Sequence, residues 1–242
     1  MRTGTLRCGY APWPVYFDVD PNTKKLSGLN KEMSDAAARI LGLKIEYIET
    51  SFSNKVIDLN SGKIDAMCGD GPWILTSIRA QDYTKQFYYA DVFLYGRQDE
   101  SRFSKMQDLN SKEVSFVGID GDLSVELVQL NFENARLNSL PTITDPSQML
   151  MDIATKKADV TILDPATADA FMASNPGKVK KLFDSGMAVY GVSFGVAKGE
   201  TELLQTLDAA VEAALNTGIT ERILQKYDPQ KTKFRWPARS YN

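Results

Sequence analysis

The sequence predicts an α/β protein built as two related lobes, and three observations carry that prediction. Strand and helix signals alternate from the N-terminus, which gives a parallel sheet. The stretch Gly62 to Arg79, G-K-I-D-A-M-C-G-D-G-P-W-I-L-T-S-I-R, reads as a buried strand, Ile64 to Cys68, running into a glycine-bearing loop. That arrangement also occurs twice. Lys63-x-Asp65 followed five residues later by Asp70 is echoed by Lys157-x-Asp159 followed five residues later by Asp164. Upstream, Val56, Ile57 and Leu59 stand in the same register as Leu150, Met151 and Ile153, so each copy is a helix, a turn and a strand ending in a carboxylate. The distance between copies far exceeds a solenoid period and argues for two lobes, with a cleft between them.

The elements follow in order. Leu6 to Gly9 is a strand, and Tyr10 to Phe17 is a loop stiffened by Pro12 and Pro14 that carries four aromatic rings. Rings presented from such a loop either wall a pocket or plug the core beneath it. Leu29, Met33, Ala36, Ala37, Ile40 and Leu41 recur at helical spacing up to Gly42. Ile45 to Ile48 is a strand, Phe52 opens a loop, and Lys55 to Leu59 is a short helix. After Arg79, Val92 to Tyr95 is a strand that makes the first crossing between lobes. Val114 to Val117 opens the second lobe, followed by G-I-D-G-D-L-S at 118–124 and a helix from Ser124 to Leu130. Backbone amides at that glycine-bearing helix start suit an anion, although the loop carries acids of its own and does not match a phosphate loop. Ala166 to Met172 is a helix, and Val189 to Val196 alternates as the returning strand. Helices at 203–215 and 219–227 precede a tail read as irregular, and two crossings make a hinge.

Composition narrows the function classes. The 242 residues are 43% apolar, enough for two cores, and a net charge of −3 without a basic stripe makes nucleic acid an unexpected partner. The apolar runs are strand-sized, so no membrane span is expected. Zero histidines and two cysteines leave almost no kit for a zinc site or a histidine-based triad, so no metal and no cofactor are expected. The N-terminus shows no charged-then-apolar leader, which fits either a cytosolic protein or a mature sequence whose leader has been removed. In open α/β sheets ligands collect at the carboxyl ends of strands. Asp70, Trp73, Thr76 and Arg79 are therefore candidates for one site, with Tyr10 and Trp13 as aromatic wall, and Asp164 ends the corresponding strand of the second lobe.

Several of these residues carry a resemblance. Leu26 to Gly28, Phe52 thirteen residues before Asp65, L-x-x-G-K-x-D-A at 59–66, T-x-x-R at 76–79, D-V-x-x-x-D at 159–164 and Lys226-Tyr227 resemble the family 3 extracellular solute-binding proteins, the amino-acid receptors of ABC importers. The resemblance covers nearly the whole chain. It implies a type II periplasmic-binding fold, two mixed sheets flanked by helices and joined by two hinge strands, with residues 1–95 and 191–242 in lobe one and 96–190 in lobe two. Carried over by position, Arg79 holds a ligand carboxylate, Thr76 assists it, Asp164 takes the ammonium, and Phe52, Asp122 and Ser124 complete the implied ligand-binding set. A planar guanidinium suits a carboxylate bidentately, and an ammonium needs a carboxylate. The implied protein is a monomeric extracytoplasmic receptor that delivers a small polar solute to a membrane permease.

The sequence also departs from the family's pattern. The G-D-G-P-W loop adds about two residues before Thr76, Asp122 stands where a hydroxyl residue is usual, and Asn30 replaces an acid. Asp70 and Asp122 then either add negative charge that favours an amine-bearing ligand, or only bond loop amides. They also keep open a lyase reading, like the cyclohexadienyl dehydratases of this fold, with one of them as general acid. A receptor's ligand-sensing domain is the third reading. Cys8 and Cys68 fall in strands that this fold makes neighbours, and the strict geometry of a bridge favours two buried thiols.

Overall fold

The computed structural model describes residues 4–237 apart from residues 74 and 76. The chain divides into two compact units, Met1–Ala90 with Tyr190–Asn242, and Asp91–Val189.

In chain order, the first unit contains β1 (Thr5–Tyr10), a small ladder of β2 (Asp18–Val19) and β3 (Leu26–Ser27), α1 (Leu29–Ile40), β4 (Lys44–Glu49), α2 (Lys55–Asn60), β5 (Ala66–Asp70) and β6 (Gln81–Tyr83). The strand β7 (Tyr88–Arg97) then enters the second unit. There follow β8 (Ser115–Ile119), α3 (Leu123–Asn131), β9 (Arg136–Leu140), α4 (Ser147–Ala154), β10 (Val160–Leu163), α5 (Pro165–Ser174) and β11 (Val179–Lys181). The strand β12 (Ala188–Ala197) returns to the first unit, which ends with α6 (Thr201–Asn216), α7 (Ile219–Tyr227) and β13 (Phe234–Arg235).

Each unit has a mixed sheet of the same topology. In the first, β1 lies parallel between β4 and β5, and β12 pairs antiparallel on the far side of β5. In the second, β8 lies parallel between β9 and β10, and β7 pairs antiparallel on the far side of β10. Equivalent hydrogen bonds mark the repeat. Asp65 N–H donates to Arg7 O and its carboxylate accepts from Arg7 N–H, while Asp159 N–H donates to Ser115 O and its carboxylate accepts from Ser115 N–H. Lys63 N–H and Lys157 N–H likewise donate to Asp58 O and Asp152 O. The acid of the G-K-x-D and K-x-A-D turns thus docks each strand onto the first strand of its own sheet.

Apolar periodicity places the cores. On α1, Leu29, Met33, Ala36 and Ala37 are buried, as are Leu6 and Phe194 of the sheet, and α6 adds Leu207, Ala210, Val211 and Ala214 to the buried set. Helix α1 starts at Gly28, whose φ of 119° leaves no room for a Cβ, since one would sit 2.4 Å from Tyr16 O. The second core gathers Phe116, Val117, Leu150, Ile153, Val160 and Ile162, with Phe116 stacked on Phe132 at 4.8 Å.

Three expectations need correction. The strand expected at 64–68 spans Ala66–Asp70, because its ladder with β1 begins at Ala66 and its last residue pairs with Ser193 of β12. Asp70 therefore belongs to the strand and not to the loop. Cys8 and Cys68 are not two thiols but a disulfide, with Cα atoms 5.8 Å apart. Cys8 pairs with Ala66 in the β1·β5 ladder, so Cys68 is its diagonal neighbour and within bridging range. In the tail, residues 228–237 are largely turn but anchored: Asp228 accepts the amides of Thr232, Lys233 and Phe234, and β13 pairs with β7. Phe234 is buried against the rings of Tyr16 and Tyr88.

Candidate functional site

In the first unit, β1 and β5 run parallel, so the aromatic loop after Tyr10 and the loop after Asp70 leave the same edge of the sheet. Tyr10 is buried, packed on Phe17 and Tyr47 with ring centroids 5.3 and 6.2 Å away, and serves the core. Trp13 and Phe52 are half-buried and meet edge to face at 6.0 Å. Trp13 is held by a two-way backbone bridge to Phe17. Phe52 rests on the cluster of Ala11, Leu59, Ile64 and Met67.

Asp70 is the main departure. Its side chain is 0% exposed and its two carboxylate oxygens are occupied, one by Lys55 Nζ at 2.6 Å and the other by Gln81 Nε2 at 2.9 Å. The ammonium of Lys55, also 0% exposed, lies 5.8 Å from the centre of the Phe52 ring. The acid expected at the loop surface is thus turned into the unit, where a cation matches its charge. Trp73 packs against Tyr190 with centroids 4.9 Å apart. Gly71 is required at the loop start, where a Cβ would lie 2.2 Å from Gly191 O. Arg79 is exposed, at the end of a turn closed by Ala80 N–H to Ser77 O, and makes no ion pair with any described residue. Thr76 lies outside the described residues.

In the second unit, β8 and β10 are parallel and each leads into a helix N-cap, Asp122 after β8 and Asp164 after β10. Asp122 caps α3, its carboxylate accepting from Ser124 N–H at 3.1 Å and Ser124 Oγ–H at 2.6 Å. Asp164, 3% exposed, caps α5 through Thr167 N–H at 2.9 Å and Thr167 Oγ1–H at 2.8 Å, with Pro165 in the first turn. Ser/Thr/Asp caps of this kind satisfy amides that the helix leaves open. Burial raises the Asp122 carboxyl above its ordinary range against the pull of Ser124, and the charge of Asp164 raises it further.

Among the expected site residues, the structure thus brings together Trp13 with Phe52, and Asp122 with Ser124 and Asp164. It separates Asp70 and Tyr10 from the surface. Lys55, Gln81, Tyr83, Thr167 and Tyr190 were not anticipated. Lys55 left no signal in the sequence: with Asp58 and Leu59 it is buried on α2, while Ile57 is 66% exposed, the reverse of an ordinary amphipathic helix. Among the described residues no helix is long and apolar enough to cross a membrane, and no group of three or more potential ligands is placed to hold a metal ion.

The profile of the bacterial extracellular solute-binding proteins, family 3, matches residues 6–230. The chain belongs to that family. It is 25% identical over 230 residues to a probable histidine-binding protein of Campylobacter jejuni, covering 93% of this chain and 86% of the relative. It is 24% identical over 236 residues to an L-arginine-binding protein of Pseudomonas aeruginosa, covering 94% and 87%. Among solved structures, an ancestral arginine-binding protein bound to arginine superposes with a TM-score of 0.81 at 22% identity, covering 93% of this chain and 98% of that one. The fold is that of the type II periplasmic-binding proteins, and the family to which it belongs consists of solute receptors.

Proposed function

We propose that this family member captures an L-α-amino acid outside the cytoplasm and, as a monomer, hands it to the permease of an ABC importer. The observation that carries the reading is the family match across nearly the entire chain, together with relatives of similar length whose names specify amino acids. Arg79 is assigned to the ligand carboxylate, for which an exposed guanidinium that makes no ion pair with any described residue is suited. Asp164 is assigned to the ammonium, with Asp122 beside it. Trp13, Phe52 and Trp73 supply apolar surface. The disulfide supports an oxidising compartment, where such bonds persist. The lyase reading loses its motive at Asp70, whose carboxylate is engaged by Lys55 and Gln81.

A thermal-shift screen of the twenty standard L-amino acids is the direct test, since a ligand that binds only the folded state raises the melting temperature. At least one, with histidine and arginine the first to try, shifts the wild type. Arg79→Ala weakens that ligand by roughly thirty-fold or more, the scale of a lost charge-assisted pair. A screen without a single hit overturns amino-acid capture, and unchanged affinity in Arg79→Ala overturns the carboxylate assignment.

A further inference from the structure

The loop between Asp70 and Gln81 carries Arg79, and its two ends are tied by side chains. Gln81 Nε2–H donates to Asp70 Oδ2 at 2.9 Å, so the last residue of β5 and the first of β6 grip one another at the loop base. Lys55 Nζ–H donates to Asp70 Oδ1 at 2.6 Å from α2 on one side, and Tyr83 Oη–H donates to Gln81 Oε1 at 3.2 Å on the other. The Tyr83 hydroxyl then meets Ser77 Oγ at 3.3 Å, inside the loop and two residues from Arg79. The chain is unbroken from a helix at one side of the loop to the turn that presents the guanidinium.

Space has been left for it. A Cβ on Gly195 would stand 2.5 Å from Asp70 Oδ2 and 2.8 Å from Gln81 Nε2, so only glycine admits the pair beneath β12. Ser193 Oγ–H holds the Asp70 carbonyl at 3.2 Å. A buried ion pair is a poor device for stability alone, since apolar groups of the same volume do as well or better. Its use is to make one geometry strongly preferred, because any shift leaves a buried charge or amide unpaired.

We propose that Lys55, Asp70, Gln81 and Tyr83 are positioning residues, a buried relay that fixes the turn bearing Arg79 and thereby sets ligand affinity without touching the ligand. The inference deepens the amino-acid-binding reading and rests on it only for the affinity arm of its test. Tyr83→Phe removes the hydroxyl that joins Gln81 to Ser77 while keeping the ring and the buried charges. It is expected to speed hydrogen exchange at the Ala80 amide, which donates to Ser77 O, while leaving the exchange of β1 and α1 unchanged. It should also weaken the amino acid identified among the twenty by about five-fold, the worth of one hydrogen bond.

Lys55→Met combined with Asp70→Asn should give the same local loosening in a folded protein. Unchanged Ala80 exchange in both variants overturns the relay, whatever the ligand. Faster exchange spread uniformly over the unit assigns these residues to stability and also overturns it. If Arg79→Ala itself leaves affinity intact, the binding assignment fails while the exchange result still decides the relay.

Discussion

Two aspartates that look alike in sequence end in opposite electrostatic states. Asp70 meets a cation of its own, whereas Asp122 sits at a helix start beside another acid, Asp164. A carboxyl raised above its ordinary range binds its proton more tightly in the folded state than in the unfolded chain. Its ionisation therefore costs stability as pH rises through that interval, and the cost is absent in acid, where both states are protonated. Asp122→Asn keeps an equally good cap and removes the charge. The expected outcome is a higher melting temperature at pH 7, with the gain shrinking to nothing near pH 3, measured by calorimetry across that range.

Lys55 was hidden at this scale. Read alone, K-V-I-D-L-N offers three apolar residues as the buried face, but Lys55 is fully buried and Ile57 points to solvent. The partner that makes this tolerable, Asp70, is fifteen residues away and becomes adjacent only when α2 packs on β5. Lys55→Met alone leaves the Asp70 charge buried and should cost about 3–5 kcal/mol. Adding Asp70→Asn should restore most of that loss, as judged by denaturant unfolding of the two variants.

At the scale of elements, the duplicated helix, turn and strand was legible because its signal is local. Asp65 and Asp159 dock β5 and β10 by the same pair of backbone bonds, as their shared spacing suggested. The two copies diverge at the strand ends, since Asp70 pairs with a lysine and Asp164 caps a helix. The short strands β6, β9, β11 and β13 carry no long apolar run, and their pairing comes from neighbours remote in sequence. The Cys8–Cys68 bridge belongs here too. It closes a sequence separation of 60 residues between the strands that launch the aromatic loop and the Arg79 loop of the first unit. By the chain-entropy argument its loss should destabilise the protein by about 4 kcal/mol. Cys8→Ser/Cys68→Ser compared with wild type in urea checks this, and an unchanged midpoint would count against any stapling role.

Across the whole molecule, the lowered carboxylates place their pH sensitivity on the acid side. Burial alone would raise Asp65, Asp159 and Asp228, but Arg7 at the first, Ser115 and Arg102 at the second, and three backbone amides at the third outweigh it and hold all three below the usual carboxylate range. Groups lowered in this way stabilise the fold fully above their unfolded values, about 4, and that contribution disappears as pH falls through the lowered folded values. With no histidine in the chain, nothing of that type titrates between pH 6 and 8. The melting temperature should fall steeply below about pH 4. Asp228→Asn should lower the plateau and flatten the acid limb, because it removes one of the three.

The sequence by itself determined the α/β alternation, the duplication and the family, since these rest on local periodicity and on spacing that any copy of the chain displays. Only the tertiary structure decided which acids face solvent, that Lys55 lies inside, and that the two cysteines are joined. Those outcomes depend on which distant groups become neighbours, and a carboxylate's role is set by the charge beside it more than by the residues that flank it.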